Sequence, residues 1–492
     1  MKGSKGRIVL LKYKSLKINA ALNITKQLCQ VLFPLISIPY VTRVLGTDNY
    51  GVFNYGNSIV SYFVLIAALG INSYAIREGV AFRNDKEKIA RFVSEIFTIN
   101  IISTFISYSL LMMLLVSPFL TQYKRIIAIQ SLSIILTTIG TDWINTIYED
   151  FVYITIRYII FQMLSLACMF VFVHKPDDYL VYAVIVVGAQ AGANILNIFH
   201  VRKYVHVRLT KEVEWKKHLR PILVFFANIV AITIYVNSDI TMLGIMRSDS
   251  EVGVYTLASK IYTIVKQILN AIMVVTLPRL SLFIKKGQKN EFNSLLMKIE
   301  KTVLFLVFPA TIGMIFLSRQ IVLIAGGIEY LMGSDALKIL SFAIIFSLLA
   351  TFYTSCVLVP LKLEKYVLTA TIVSAIANVL LNFYFIPHYG INGAAATTLI
   401  SEIIVFIIAL TISLKNGKPK LEVSYVIKIL AGSVMVIISC FFASCLGKTD
   451  WSYTALSIII SVLAYFGFEF LVRNDILLEE SRKVLSKIRN KL

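Results

Sequence analysis

Apolar runs of about 20 residues, each nearly free of charge, recur along almost the whole chain, and a run of that length is what a helix needs to cross about 30 Å of hydrocarbon. Inside a bilayer every backbone N–H and C=O must be satisfied within the protein, so runs of this kind fold as helices. Composition agrees: 58% of residues are hydrophobic, only 15% are charged, and the mean hydropathy is +0.78, outside the soluble class. The length of 492 residues therefore does not count soluble domains. Spans are expected near 18–41, 52–76, 92–117, 126–147, 154–173, 180–200, 221–245, 254–278, 302–326, 336–359, 367–387, 391–412, 425–446 and 452–472, about fourteen in all. The basic start followed by an apolar stretch is not a secretory signal: the stretch is too long, contains Asn23, Lys26 and Gln27, and lacks a small-residue cleavage site.

In a soluble protein a net charge of +21 would suggest nucleic acid as a partner. Its distribution points elsewhere. With fourteen spans, 36 of the 48 Lys and Arg residues fall on one side, eight on the other, and Lys26, Arg157, Lys260 and Lys266 within spans. By the positive-inside rule the rich side is cytoplasmic, and an even span count places both termini there, in a plasma membrane with lipid as the surrounding partner. The segments are a basic cytoplasmic N-terminus (1–17), an N-terminal lobe of six spans (18–200), a cytoplasmic linker (201–220), a C-terminal lobe of six spans (221–412), two further spans (425–472) and a basic tail (473–492).

Two lobes are suggested by a weak internal repeat. "YVTRVLGTDNYGVFNYGNSIV" leaves span one for span two, and "ITMLGIMRSDSEVGVYTLASKIY" leaves span seven for span eight; each sets a glycine-containing turn and a charged spacer before "YGVFNY" or "VGVYTL". Transporters built from repeats hold their substrate between them.

Span eight carries the clearest polar pattern. At 100° per residue Tyr255, Thr256, Ser259, Lys260, Tyr262, Thr263, Lys266, Gln267 and Asn270 share an arc of about 160°, with apolar residues opposite. Two ammonium groups on one face cannot be turned to lipid, so that face is expected to line a watery cavity. Span one repeats the device with Asn23, Lys26, Gln27 and Gln30; span two adds Asn54 and Asn57, and span seven adds Asn228, Tyr235 and Asp239. Helix-to-helix hydrogen bonding explains the hydroxyls and amides equally well, but not the lysines. Excess positive charge on the wall favours an anionic cargo. Asp142, Asp239 and Glu402 are the acidic residues within spans, expected either to pair with cations or to couple transport to protons or sodium; Arg157 shows no partner in the sequence. Walker, HExxH and DxD sequences are absent and the five cysteines form no CxxC, so an enzyme, a metal site and a bound cofactor are not expected.

The stretch "LFPLISIPYVTRVLGTDNYGVFNYGNSIVSYFVLIAALGINSYAIREG", with "LPRLS" at 277–281 and "IPHYGINGAAATTLISE" at 386–402, closely resembles the oligosaccharide flippases of the bacterial polysaccharide transporter (Wzx-type) family. The resemblance implies the fourteen-helix fold of the multidrug/oligosaccharidyl-lipid/polysaccharide exporter superfamily. It also implies an undecaprenyl-diphosphate-linked oligosaccharide as cargo, turned outward for capsule or O-antigen assembly, with polysaccharide polymerase and glycosyltransferases as partners. Related lipid II flippases hold the diphosphate with cationic residues of spans one, two and eight; Lys26, Lys260 and Lys266 match spans one and eight here, whereas span two offers only Arg77 at its end. The alternatives are a cation or drug antiporter of the same fold, told apart by the sign of its cavity, and a membrane-embedded polymerase, which should carry a large external loop that this chain lacks.

Overall fold

A computed structural model of the chain describes residues 16–416, 422–479 and 481, with side chains for all of these except 16–21, 23, 24 and 228. Among the described residues it is helical: α1 (Leu16–Ala68), α2 (Ile71–Phe82), α3 (Lys86–Leu115), α4 (Lys124–Gly140), α5 (Asp142–Ile147), α6 (Phe151–Phe172), α7 (Tyr179–Val201), α8 (Trp215–Met246), α9 (Asp249–Lys285), α10 (Lys289–Phe316), α11 (Ser318–Gly326), α12 (Gly333–Thr351), α13 (Glu364–Lys415), α14 (Val423–Leu446) and α15 (Asp450–Leu471). Twelve segments are long and apolar enough to cross a membrane, and two of them, of 58 and 52 residues, are too long for one crossing. A straight 52-residue helix would measure about 78 Å. Each is broken near its middle by a glycine with a left-handed φ, Gly46 at 70° and Gly390 at 54°, a conformation that costs glycine little and other residues more.

Both breaks reverse the chain. Lys26 and Ala68, near opposite ends of α1, line one cavity, and in α13 Ser374 donates to the Ser401 carbonyl (2.9 Å) while Thr397 donates to Asn382 (2.5 Å). Counted as two crossings each, the broken helices bring the total to fourteen, and the chain is a multi-pass membrane protein. Elsewhere the expected boundaries shift. The span expected at 52–76 stops at Ala68, where Leu69 and Gly70 turn the chain into α2, and the one expected at 126–147 is divided at Thr141 (φ 42°). Gly70 is packed so tightly that a Cβ there would lie 2.6 Å from the Phe226 backbone nitrogen. Hydropathy cannot see such turns, because the residues around them remain apolar.

Small polar side chains join the helices, as expected where both packing surfaces are equally apolar and dispersion alone is weakly selective. Asn100 and Ser103 of α3 donate to the Ala67 carbonyl of α1 (2.8 and 2.6 Å), and Asn194 of α7 donates to the Leu136 carbonyl of α4 (2.8 Å). Tyr465 of α15 and Tyr425 of α14 tie the last two helices to α10 through the carbonyls of Phe305 (2.7 Å) and Lys301 (3.0 Å).

The two repeated motifs meet each other. Gly51, in the first, lies against the Asp249 carbonyl, where a Cβ would come within 1.8 Å, and Gly253, in the second, lies against the Thr47 carbonyl, where a Cβ would come within 2.1 Å. Ser250 donates to Thr47 across the same contact (2.9 Å). Glycine at both places lets α1 and α9 approach backbone to backbone, and the reciprocity places a local two-fold relation where the halves join. The weak repeat in the sequence is thus the contact that closes one end of the seam between the lobes.

Candidate functional site

α9 runs along that seam with its polar face divided between neighbours. Lys260 donates to the Tyr50 hydroxyl (3.0 Å) and to Asn54 Oδ1 (3.1 Å) of α1, and its ammonium sits 5.1 Å from the Tyr50 ring centroid. It has no carboxylate partner among the described residues. Six residues on, Lys266 turns within its own lobe and pairs with Glu402 of α13 at 2.9 Å. Tyr262 (2.8 Å) and Ser347 of α12 (2.8 Å) donate to the same carboxylate oxygen, and the buried Tyr235 hydroxyl approaches it. Glu402 is therefore neutralised by Lys266, with three donors gathered on its Oε1. The expectation of one continuous cavity-facing arc on span eight is corrected accordingly: α9 packs against α1 of the other lobe and against helices of its own, so successive polar residues meet different helices.

Asp239 of α8 is held differently. Tyr255 (2.6 Å), Thr398 (2.5 Å) and Asn382 (2.7 Å) donate to its two oxygens, all of them neutral groups, and Asn382 is itself engaged by Thr397 and faces Asn378. Of the two roles open to Asp239, an ion pair is not formed among the described residues; three neutral donors satisfy its buried oxygens instead.

A cavity of about 640 Å³ opens within the N-terminal lobe, bounded by α1 to α7, with Ile229 of α8 also in its wall. Lys26 lies in its wall with its ammonium 5.9 Å from the Tyr158 ring, without a carboxylate partner among the described residues. Arg157 of α6 lies in the same wall and pairs with Asp142 at the start of α5. Asn72, Asn100, Thr137, Trp143, Gln162, Gln190 and Asn194 complete a polar and aromatic lining. A pocket of this size and make-up falls within the range of small-molecule sites.

Of the residues expected to line a cavity, Gln30, Asn54, Asn57, Tyr235, Tyr255, Ser259, Tyr262 and Asn270 do not line this one. Asn54, Tyr255 and Tyr262 are buried against helix neighbours, while Gln30 and Asn57 are exposed. The side chains of Asn23 and Asn228 lie outside the described residues. Arg77 sits in α2, paired with Glu78 (2.8 Å) and stacked over Phe225 (4.9 Å), away from the cavity. Gln162 is a lone amide on the apolar α6 and Trp143 lies in the short α5, so neither leaves a pattern, whereas Gln190, Asn194 and Asn197 of α7 fall at i, i+4 and i+7, a polar stripe that could have marked the site; the shared cavity exists only once these helices pack together.

The family model described as "Polysaccharide biosynthesis protein" matches residues 16–283, more than half of the chain. A putative O-antigen transporter of Shigella dysenteriae is 24% identical over 388 residues, covering 77% of this chain and 95% of its own length. The capsular polysaccharide biosynthesis protein CapF of Staphylococcus aureus is 26% identical over 401 residues, 78% and 95% of the two chains. Among solved structures, the lipid II flippase MurJ in an inward closed conformation superposes with a TM-score of 0.72 at 18% identity, over 94% of this chain and 100% of that one. An inward-facing multidrug resistance MATE transporter gives 0.56 at 13% identity, over 78% and 98%. The fold expected from the resemblance is the one these structures share, and with the matched region taking in the seam, the cavity and both repeated motifs, the chain belongs to the polysaccharide biosynthesis protein family.

Proposed function

We propose that this protein is a flippase that moves a lipid-linked oligosaccharide across the membrane by alternating access, for the assembly of a capsule, O-antigen or related polysaccharide. The observation that carries the reading is a cationic, amide-lined cavity between membrane helices in a chain whose family and relatives are named for polysaccharide transport and biosynthesis. Lys26 in that cavity, and Lys260 outside it at the seam, supply positive charge without a carboxylate partner among the described residues for a diphosphate carried on an isoprenoid such as undecaprenol. The amides and Trp143 suit sugars, and the tail remains in lipid. Transport of this kind breaks no covalent bond, so the protein acts as a carrier rather than an enzyme. The basic-rich side, including 77–91 and 201–220, is the cytoplasmic one, and polymerase and glycosyltransferases act on either side of the transport step.

Reconstitution into liposomes with a fluorescent lipid-linked oligosaccharide tests the reading. Wild-type protein is expected to expose the cargo on the opposite leaflet, and Lys260→Ala to slow this about tenfold, in line with about 1–2 kcal/mol for one charge-assisted contact. Absence of translocation by well-inserted wild-type protein overturns it; export of cationic dyes in its place would favour a drug antiporter of the same fold.

Glu402 and Asp142 have cationic partners, which leaves Asp239 as the carboxylate suited to a coupling proton or sodium ion. Asp239→Asn is expected to abolish the dependence of flux on an imposed proton or sodium gradient while leaving downhill flux measurable. Unchanged gradient dependence in that variant would exclude the role.

A further inference from the structure

Arg157 is 6% exposed, and only one of its nitrogens, Nη2, is engaged by Asp142; Nε and Nη1 are buried without an acceptor among the described residues. Five N–H groups in a rigid planar fork are thus held in a cavity wall and mostly unused. A guanidinium binds an oxyanion best through two parallel hydrogen bonds, from Nε with Nη2 or from Nη1 with Nη2. Each uses one of the two N–H groups of Nη2; Asp142 takes one of these, and its carboxylate charge beside the other repels an arriving phosphate. Asp142 is free to leave: its side chain is 51% exposed, so it loses little by turning to water, whereas Arg157 is fixed by burial and by Tyr153, whose ring centroid is 5.4 Å away.

We propose that Arg157 is the phosphate ligand of the N-terminal-lobe cavity and that Asp142 is an internal counter-ion which the arriving phosphate displaces. The inference rests on the flippase reading for its cargo and deepens it, adding Arg157 of α6 to Lys26 in the cavity as a ligand of the charged head group. The local charge explains the choice. With Asp142 in place, Arg157 and Lys26 leave one net positive charge; with Asp142 swung away the wall presents two, matched to a diphosphate ester. Asn72, Gln162, Gln190 and Trp143 lie around the same space, where the first sugar would sit. Asp142 also keeps the empty site from holding a bare guanidinium, so that carrier returning without cargo does not need an anion.

The test is binding by the full chain in lipid nanodiscs, using undecaprenyl diphosphate and inorganic diphosphate as separate probes. Arg157→Gln is expected to weaken binding of the lipid probe at least tenfold. Asp142→Asn, which removes the competitor and keeps the side-chain volume, is expected to tighten it severalfold. That second variant separates the proposal from a purely structural ion pair, whose loss would lower thermal stability and leave affinity equal or weaker. Inorganic diphosphate binding with the same dependence on both residues shows that free diphosphate suffices; dependence seen with the lipid probe alone assigns the site to the lipid head group, and either result supports phosphate recognition. Lipid binding unaffected by Arg157→Gln, or unchanged or weakened by Asp142→Asn, overturns the assignment. Translocation measured in parallel keeps the two readings apart: Arg157-dependent binding without translocation by wild type removes the flippase and retains the phosphate site, whereas translocation by wild type and Arg157→Gln alike does the reverse.

Discussion

Gly51→Ala is expected to pry open the end of the seam where α1 meets α9 and to reduce translocation by one to two orders of magnitude. The new methyl would lie 1.8 Å from the Asp249 carbonyl oxygen, against a comfortable contact of about 3.5 Å, and the obstacle is backbone rather than a movable side chain. Relief requires the two helices to separate by about 1.5 Å, at a cost of about 1–3 kcal/mol in the state that brings them together. Alternating access depends on reaching that state, so its population falls by a factor of about 5–150. A cysteine placed at Ser250, which faces Thr47 across the contact, should react faster with a membrane-impermeant maleimide in the Gly51→Ala background. Gly253→Ala is expected to behave alike, because its Cβ would lie 2.1 Å from the Thr47 carbonyl. Gly188→Ala, where an added methyl meets no atom within 4 Å, provides the neutral comparison. Equal labelling and equal flux in Gly51→Ala and wild type would show that the contact does not govern opening.

The second large effect is on stability. Glu402→Ala removes the acceptor shared by Lys266, Tyr262 and Ser347, leaving an ammonium and two hydroxyls without their partner. Breaking a buried pair from one side costs about 3–5 kcal/mol; with the Lys266 side chain 29% exposed, the lower end of that range applies. The melting temperature of the purified protein in detergent should fall by several degrees. Glu402→Leu combined with Lys266→Met should recover most of the loss, since replacing both partners by apolar groups leaves no orphaned charge. A double variant as unstable as Glu402→Ala would assign the stability to the hydroxyls of Tyr262 and Ser347 rather than to the ion pair. Flux in the double variant then reports separately whether the pair has a part in transport.

Where the chain crosses the membrane was readable from residue type alone, because the bilayer imposes one length and one kind of backbone on every span. The turns at Gly46 and Gly390 and the match of "YGVFNY" with "VGVYTL" were likewise visible as residue patterns. Partner choice was not. The arc on α9 displays Lys260 and Lys266 on one side of a helical wheel, yet about 9 Å of rise separates them, enough for one to meet α1 and the other α13. A helical wheel records direction around one axis and carries no information about which helix stands there.

What the sequence by itself determined, then, was the class of protein, its fourteen crossings and the presence of intramembrane charge, all consequences of transferring particular side chains from water to hydrocarbon. Only the tertiary structure decided which charges remain available. It paired Glu402 with Lys266, gave Asp239 neutral donors, left Lys26 and Lys260 without carboxylates among the described residues, and set Arg157 in a cavity wall paired with Asp142. The physical reason is range: burial depends on each residue's own chemistry, whereas ion pairing in a low-dielectric interior depends on contacts of a few ångströms between helices far apart in the chain.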